Sequence, residues 1–200
     1  MMKIVLIRHA SKESGPDLKE DSHLPLTPEG KRETCKLGNK LASLGLKPTV
    51  YLTSDHVHAN QTGALLSAQM GGNSPAAVVP IGALTPHDPS PFTFEKIIRE
   101  SEQTGHDLHV QETVAFVMHH PRLNQLLAAL TSQPVSQAMP KYAEAICLMA
   151  DSLNDFLEGK GKECCRIVVS KGILKEESVM PEPLNALVSE LQDFAASAAA

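Results

Sequence analysis

The 200-residue chain has no tryptophan, five phenylalanines and two tyrosines. Surfaces that read bases by stacking need aromatic platforms, so this scarcity argues against nucleic acid as a partner. The charge balance argues the same way. Net charge is −5 and the isoelectric point is near 6.0, whereas nucleic-acid binding calls for a basic surface. No apolar run approaches the ~20 residues of a membrane span, so no membrane partner is expected. The run Ile4–Ile7 behind Lys3 is too short for the apolar core of a signal peptide. Cysteine is confined to Cys35, Cys147, Cys164 and Cys165. The adjacent Cys164-Cys165 pair makes neither a zinc pattern nor a secreted disulfide framework, so four reduced thiols in a cytoplasmic protein are expected. A composition of 42% hydrophobic and 20% charged residues suits an ordinary globular domain with a full core.

Short apolar segments recur at about 3–8, 49–53, 77–81, 113–118, 143–150 and 164–170, with helical patterns between them. That alternation predicts a three-layer α/β/α sandwich around a mostly parallel sheet of about six strands. The first helix opens at Thr27 as N-cap with Pro28 and Glu29 behind it, buries Leu37, Leu41 and Leu44, and stops at Gly45. A second runs from near Asp55 to Gly71-Gly72, with Ala64, Leu65 and Ala68 expected inward. A third opens at Pro121 and places Leu123, Leu126, Leu127 and Leu130 on one face. The polar stretch 85–112 reads as a small insert holding a helix around 92–103. Residues 158–163 read as a hairpin loop, 183–196 as a terminal helix and 196–200 as a frayed tail. No linker divides the chain, so residues 1–200 are expected to form a single domain.

The chemistry concentrates at three strand ends. The run Ile4–Ile7 stops abruptly at Arg8-His9, Thr113–Met118 at His119-His120-Pro121, and Thr49–Leu52 at Thr53-Ser54-Asp55-His56-Val57-His58. Parallel strands line their carboxyl ends along one edge, where ligands of open α/β sheets bind. Helices begin just after two of these ends, and helix N-termini present free N–H groups to anions. An imidazole can act as a nucleophile, and a guanidinium forks onto phosphate oxygens.

In order along the chain stand Arg8-His9-Ala10, the helix opening Leu26-Thr27-Pro28-Glu29-Gly30-Lys31-Arg32 and Ser54 through Gln61-Thr62. There follow Leu84-Thr85-Pro86-His87-Asp88-Pro89, His119-His120-Pro121, and Ala138-Met139-Pro140 before the strand Ala143–Ala150. This series resembles the histidine phosphatase superfamily (phosphoglycerate mutase-like), and more closely its compact SixA-type branch of phosphohistidine phosphatases. The resemblance is colinear from residue 3 to about 181 and implies the superfamily's fold. It implies that His9 is the nucleophile taking the phosphoryl group, that Arg8 holds its oxygens, and that protonated His119 donates to them. The expected reaction is hydrolysis of phosphohistidine, in a signalling protein or similar partner, through a phosphohistidine on the enzyme and without a metal or other cofactor. A small phosphorylated metabolite is the other substrate class the resemblance allows.

The chain departs from the pattern at two places. The second pocket arginine is replaced by His58, with His56 in a less well spaced alignment, and the middle residue of the "H-N-P" segment is His120. His58 and His120 join Arg8 and His119 as expected phosphate contacts. A histidine gives one donor where arginine gives a permanently charged fork. Losing one charge-assisted bond costs about 1.5–3 kcal/mol, on the order of ten- to a hundredfold in rate. A weakened, phosphate-binding module is therefore the reading from outside enzymology. Asp88 and Glu13 are the candidate leaving-group acids, with His87 behind them. Ser54 and Thr62 read as a cap and a helix-surface residue. His56-x-His58 and His119-His120 lack a carboxylate or cysteine at metal-ligand spacing, so no metal site is expected.

Overall fold

The computed structural model describes residues 1–14, 18–86, 92–136, 140–170 and 173–178. Seven strands form one sheet in the order β3-β2-β4-β1-β5-β6-β7. Four of them, β1 (Met2–Arg8), β2 (Val50–Thr53), β3 (Ala77–Pro80) and β4 (Thr113–Met118), pair in parallel. The other three, β5 (Glu144–Ala150), β6 (Lys162–Ser170) and β7 (Ile173–Ser178), add on antiparallel beyond β1. The α/β sandwich is as expected from the sequence, and the sheet gains β7 beyond the six strands anticipated.

Alternating side chains of the strands feed two cores. Ile4, Leu6, Leu52, Val114 and Phe116 face one side, where they meet α3 (Phe94–Gln103), α4 (Arg122–Thr131) and α5 (Leu153–Leu157) through Ile97, Leu123, Leu126 and Phe156. Val5, Ile7, Tyr51, Ala115 and Val117 face the other, against Leu37 and Leu41 of α1 (Pro28–Ser43) and Leu66 of α2 (Val57–Gly71). Two apolar faces with helices on both sides are what near-continuous strands such as Ile4–Ile7 require. Helix α5 interrupts the segment between β5 and β6, so the expected 158–163 loop is only its second half. No helix among the described residues is long and apolar enough to cross a membrane.

Local chemistry sets the helix starts. Thr27 caps α1 by accepting from the Gly30 amide at 2.9 Å. Gly45, at φ 68°, takes the left-handed turn after it. The inward face of α2 differs from expectation: Ala64 and Ala68 are exposed, and His58, Ala59, Thr62, Gly63, Leu66 and Ser67 are buried. Small side chains bring this helix close to the sheet. A Cβ on Gly63 would lie 2.8 Å from the Thr53 methyl.

Helix α1 also fixes the loop that follows β1. The Ser11 carbonyl accepts from the Thr27 amide at 3.0 Å, and the Glu33 carboxylate accepts from the Ser11 hydroxyl at 2.7 Å. Gly30 touches this loop so closely that a Cβ would lie 2.0 Å from the Ser11 carbonyl oxygen. Gly30→Ala should therefore displace the backbone two residues past His9 and cost about 1–3 kcal/mol or more. Urea unfolding of the variant checks this, and an unchanged midpoint would show that the loop yields freely.

Candidate active site

The register of the parallel strands brings the three expected ends together. Arg8 lies opposite Met118, and Thr53 opposite Val117. One residue further, the His9 amide donates to the Met118 carbonyl at 3.1 Å and the Ser54 amide to the Val117 carbonyl at 3.0 Å. His119 thus leaves β4 beside His9, and α2 starts next to both.

The result is a cluster of four imidazoles: His9, His56, His58 and His119 are 3%, 5%, 0% and 6% exposed. Ring centroids of His9 lie 4.3 Å from His58 and 4.6 Å from His119, and those of His58 and His119 are 5.0 Å apart. His56, the less favoured alignment in sequence, packs 4.5 Å from His119. Both alternatives for the arginine position therefore reach the cluster.

Backbone carbonyls assign the proton positions of two rings. His9 Nδ1–H donates to its neighbour's carbonyl on Ala10 at 2.9 Å, and His58 Nδ1–H to the Leu24 carbonyl at 3.0 Å. A neutral imidazole with its proton on Nδ1 keeps a lone pair on Nε2. The His58 Nε2 is buried and has no hydrogen-bond partner. His119 is held differently, with Nε2 2.7 Å from the Ser54 hydroxyl. A hydroxyl rotates, so this contact suits either tautomer.

Burial disfavours a charge on His9, His58 and His119. Burial, with the His58 charge next, holds His9 well below the ordinary histidine value. Burial pushes His58 down to about 4. His119 is pushed far down as well, by burial and then by His9 and His58. In the free pocket one more positive charge among three other rings is costly; the protonated His119 expected from sequence is a form for the phosphate-bound pocket.

Thr62 and Ser54 are fully buried. Thr62 accepts from the Ala10 amide at 3.2 Å and donates to the His58 carbonyl at 2.8 Å, tying β1 to α2. Gln61 accepts from the Leu26 amide at 2.8 Å. The helix-surface reading of Thr62 is thereby replaced by a brace. Arg8 is half-buried. It donates through Nη1 to the Pro140 carbonyl, and its guanidinium carbon lies 4.0 Å from the Tyr142 ring centroid. Tyr142, which sequence reasoning did not single out, also lies 5.4 Å from His9. His120 is partly buried, its Nδ1 has no hydrogen-bond partner, and it makes none of the ring contacts within the cluster. Glu13 is exposed in the loop after β1. Asp88 and His87 lie outside the described residues.

Similarity to solved structures decides the fold. The structure of the protein histidine phosphatase SixA complexed with tungstate superposes with a TM-score of 0.61 at 21% identity, covering 81% of this chain and 94% of that one. The chain has the histidine phosphatase fold. A structure from Agrobacterium tumefaciens, assigned as a phosphohistidine phosphatase SixA, aligns with a TM-score of 0.60 at 15% identity over 84% of this chain and 99% of that one. A mycobacterial glucosyl-3-phosphoglycerate phosphatase complexed with VO3 aligns at 0.56 and 16% identity over 82% and 97%. No protein-family model and no curated protein matches the sequence. Within the histidine phosphatase fold, the pocket described above sits at the carboxyl edge of β1, β2 and β4.

Neutral buried rings tie stability to pH. His9, His58 and His119 bind protons less readily when folded than unfolded, so their stabilising effect is full above the unfolded value of about 6.5 and is lost as pH falls. For His58 that loss extends down to about 4. With a chelator present, the urea midpoint should fall steadily from pH 7 to pH 4.5, and less steeply in His58→Gln. Identical slopes in the two proteins would show that His58 is not held neutral.

Proposed function

We propose that the protein is a phosphatase of the histidine phosphatase superfamily, hydrolysing phosphohistidine through a phosphoryl group carried on His9. The observation that supports this most is the pairing of His9 and His119 at 4.6 Å across the ends of two adjacent parallel strands. His9 supplies an unprotonated Nε2 because the Ala10 carbonyl holds its other N–H. That nitrogen attacks phosphorus in line. The P–N bond of the substrate breaks as the P–N bond to His9 forms, and the departing imidazole takes up a proton. Water then attacks the phosphoryl group, releasing phosphate and a proton and restoring His9. An imidazole leaves more easily than an alkoxide, so the first step asks little of a carboxylic acid such as Asp88 or Glu13.

Charge for the transferred oxygens comes from Arg8 and from the cluster itself. A phosphate dianion favours the charged form of any neighbouring imidazole, so on its arrival the rings can take up from solvent the protons that the free pocket excludes. Ser54 suits the change. By accepting from Nε2–H of a charged His119 it would leave Nδ1–H to face the phosphate. Recognition of a phosphorylated protein is favoured by the likeness to two SixA structures, a protein histidine phosphatase and one assigned as a phosphohistidine phosphatase. One observation favours a second reading, a phosphate-binding module of low activity: His58 is neutral where an arginine would carry fixed charge.

Radiolabelled phosphohistidine peptide should leave label on His9 in a rapid quench and release phosphate with no metal added. His9→Ala should abolish both, and p-nitrophenyl phosphate should turn over more slowly than the peptide. Phosphate bound without release from either compound would favour the binding module. His58→Arg restores the fork and should raise kcat/KM on the order of ten- to a hundredfold. A fall in kcat/KM in a variant that melts like the parent would show that His58 is suited to the chemistry as it stands.

A further inference from the structure

The three pocket rings present lone pairs, and lone pairs repel the very anion the fold would bind. His9 and His58 each spend Nδ1–H on a backbone carbonyl, and the His58 Nε2 is buried with nothing to accept from. One ring nitrogen from each of His9, His58 and His119 lies within 4.8 Å of the other two. We propose that His9, His58 and His119 form a three-imidazole site for a borderline divalent cation of the zinc type, held in competition with the phosphoryl group.

Several features fit that ligand. Zinc is bound by neutral imidazole at about 2.0–2.1 Å, and three histidines with a water complete a common four-coordinate shell. Ring nitrogens in such a shell sit about 3.4 Å apart, so small rotations of rings already packed together bring them into place. Metal-ligating histidines usually donate the second N–H to a carbonyl, and the Ala10 and Leu24 carbonyls already accept from His9 and His58. His119 would coordinate through Nδ1 while Nε2–H donates to Ser54. Asp21 places a carboxylate oxygen within 4.8 Å of ring nitrogens on His56 and His58. The opposing charges are Arg8, which is drawn onto Tyr142 and the Pro140 carbonyl, and Lys12, which adds positive potential at all three rings. Lys12 is paired with Asp21.

The arrangement is invisible to spacing rules, because its ligands come from the ends of β1 and β4 and from the first turn of α2. It also depends on His58: an arginine there offers no lone pair. The cation and the phosphoryl group need the same nitrogens, so a bound cation silences the nucleophile. That consequence rests on the phosphatase reading, whereas binding itself does not.

The test is X-ray absorption of the full chain loaded with one equivalent of zinc, with cobalt(II) as a visible-light probe. Three imidazoles at about 2.0–2.1 Å and the intense absorption of four-coordinate cobalt are expected. His58→Arg and His119→Gln should each weaken zinc binding by more than about 100-fold, beyond the loss of an outer partner. His109→Ala, in the exposed Glu102–Asp107–His109 group, should leave it unchanged. Thermal melts show whether each variant folds, and the absorption data on the parent protein decide the matter if one does not. A shell with fewer than three imidazoles, tight binding that survives His58→Arg, or no stoichiometric binding overturns the proposal. Zinc bound by three imidazoles in a chain that never cleaves phosphohistidine would sink the phosphatase reading and leave the metal site standing.

Discussion

Desolvation of imidazole governs this pocket. Four rings lie in contact at the edge of the sheet, screened from water, and each one charged raises the cost of charging the next. Neutral rings must then place a proton on one nitrogen and a lone pair on the other, and the surroundings choose which. The Ala10 and Leu24 carbonyls choose for His9 and His58, and Ser54 leaves His119 free to adopt either form. The rest of the local structure serves to keep these partners in place. Thr62 locks the loop after β1 to α2, Glu33 and Gly30 press that loop onto α1, and the strand register sets His9 beside His119.

Most of this was legible where an apolar run ends in polar residues. Ile4–Ile7 and Thr113–Met118 are buried on both faces, so their ends in Arg8-His9 and His119 mark the sheet edge without ambiguity. The N-cap at Thr27 was equally plain, because a hydroxyl followed by Pro28 and Glu29 satisfies the free amides of a first turn. β7 escaped notice because Ile173–Ser178 is half charged and covers an edge rather than a core. α5 escaped because five residues show less than two turns of period.

The face of α2 was misread for a more instructive reason. Apolar character points to Ala64, Leu65 and Ala68, yet the helix turns His58, Thr62 and Gly63 inward. A polar side chain is buried where a specific partner waits for it, and those partners (the Leu24 carbonyl and the Ala10 amide) come from segments remote in sequence. Hydrophobic periodicity cannot see such partners. The same blindness made His56 and His58 look like competing alignments, when the first turn of α2 brings both to His119.

Replacing an arginine by a histidine at position 58 changes more than the strength of one contact. Arginine would add a fixed positive charge and only donors, so the pocket would favour oxyanions at every pH. Histidine makes its sign conditional. Unprotonated, the ring adds a lone pair to those of its neighbours, which suits a cation; once a bound phosphate dianion favours its charged form, it donates. Arg8 completes the logic by resting on Tyr142, where its charge is partly satisfied by the ring face and the Pro140 carbonyl. A guanidinium held there can swing toward an anion at the cost of a cation–π contact of about 0.5–2 kcal/mol, less than the charge-assisted bonds it would gain. The pocket's preference between anion and cation therefore turns on whether the incoming ligand raises the proton affinity of the rings and draws Arg8 inward, or takes the lone pairs and leaves Arg8 where it is.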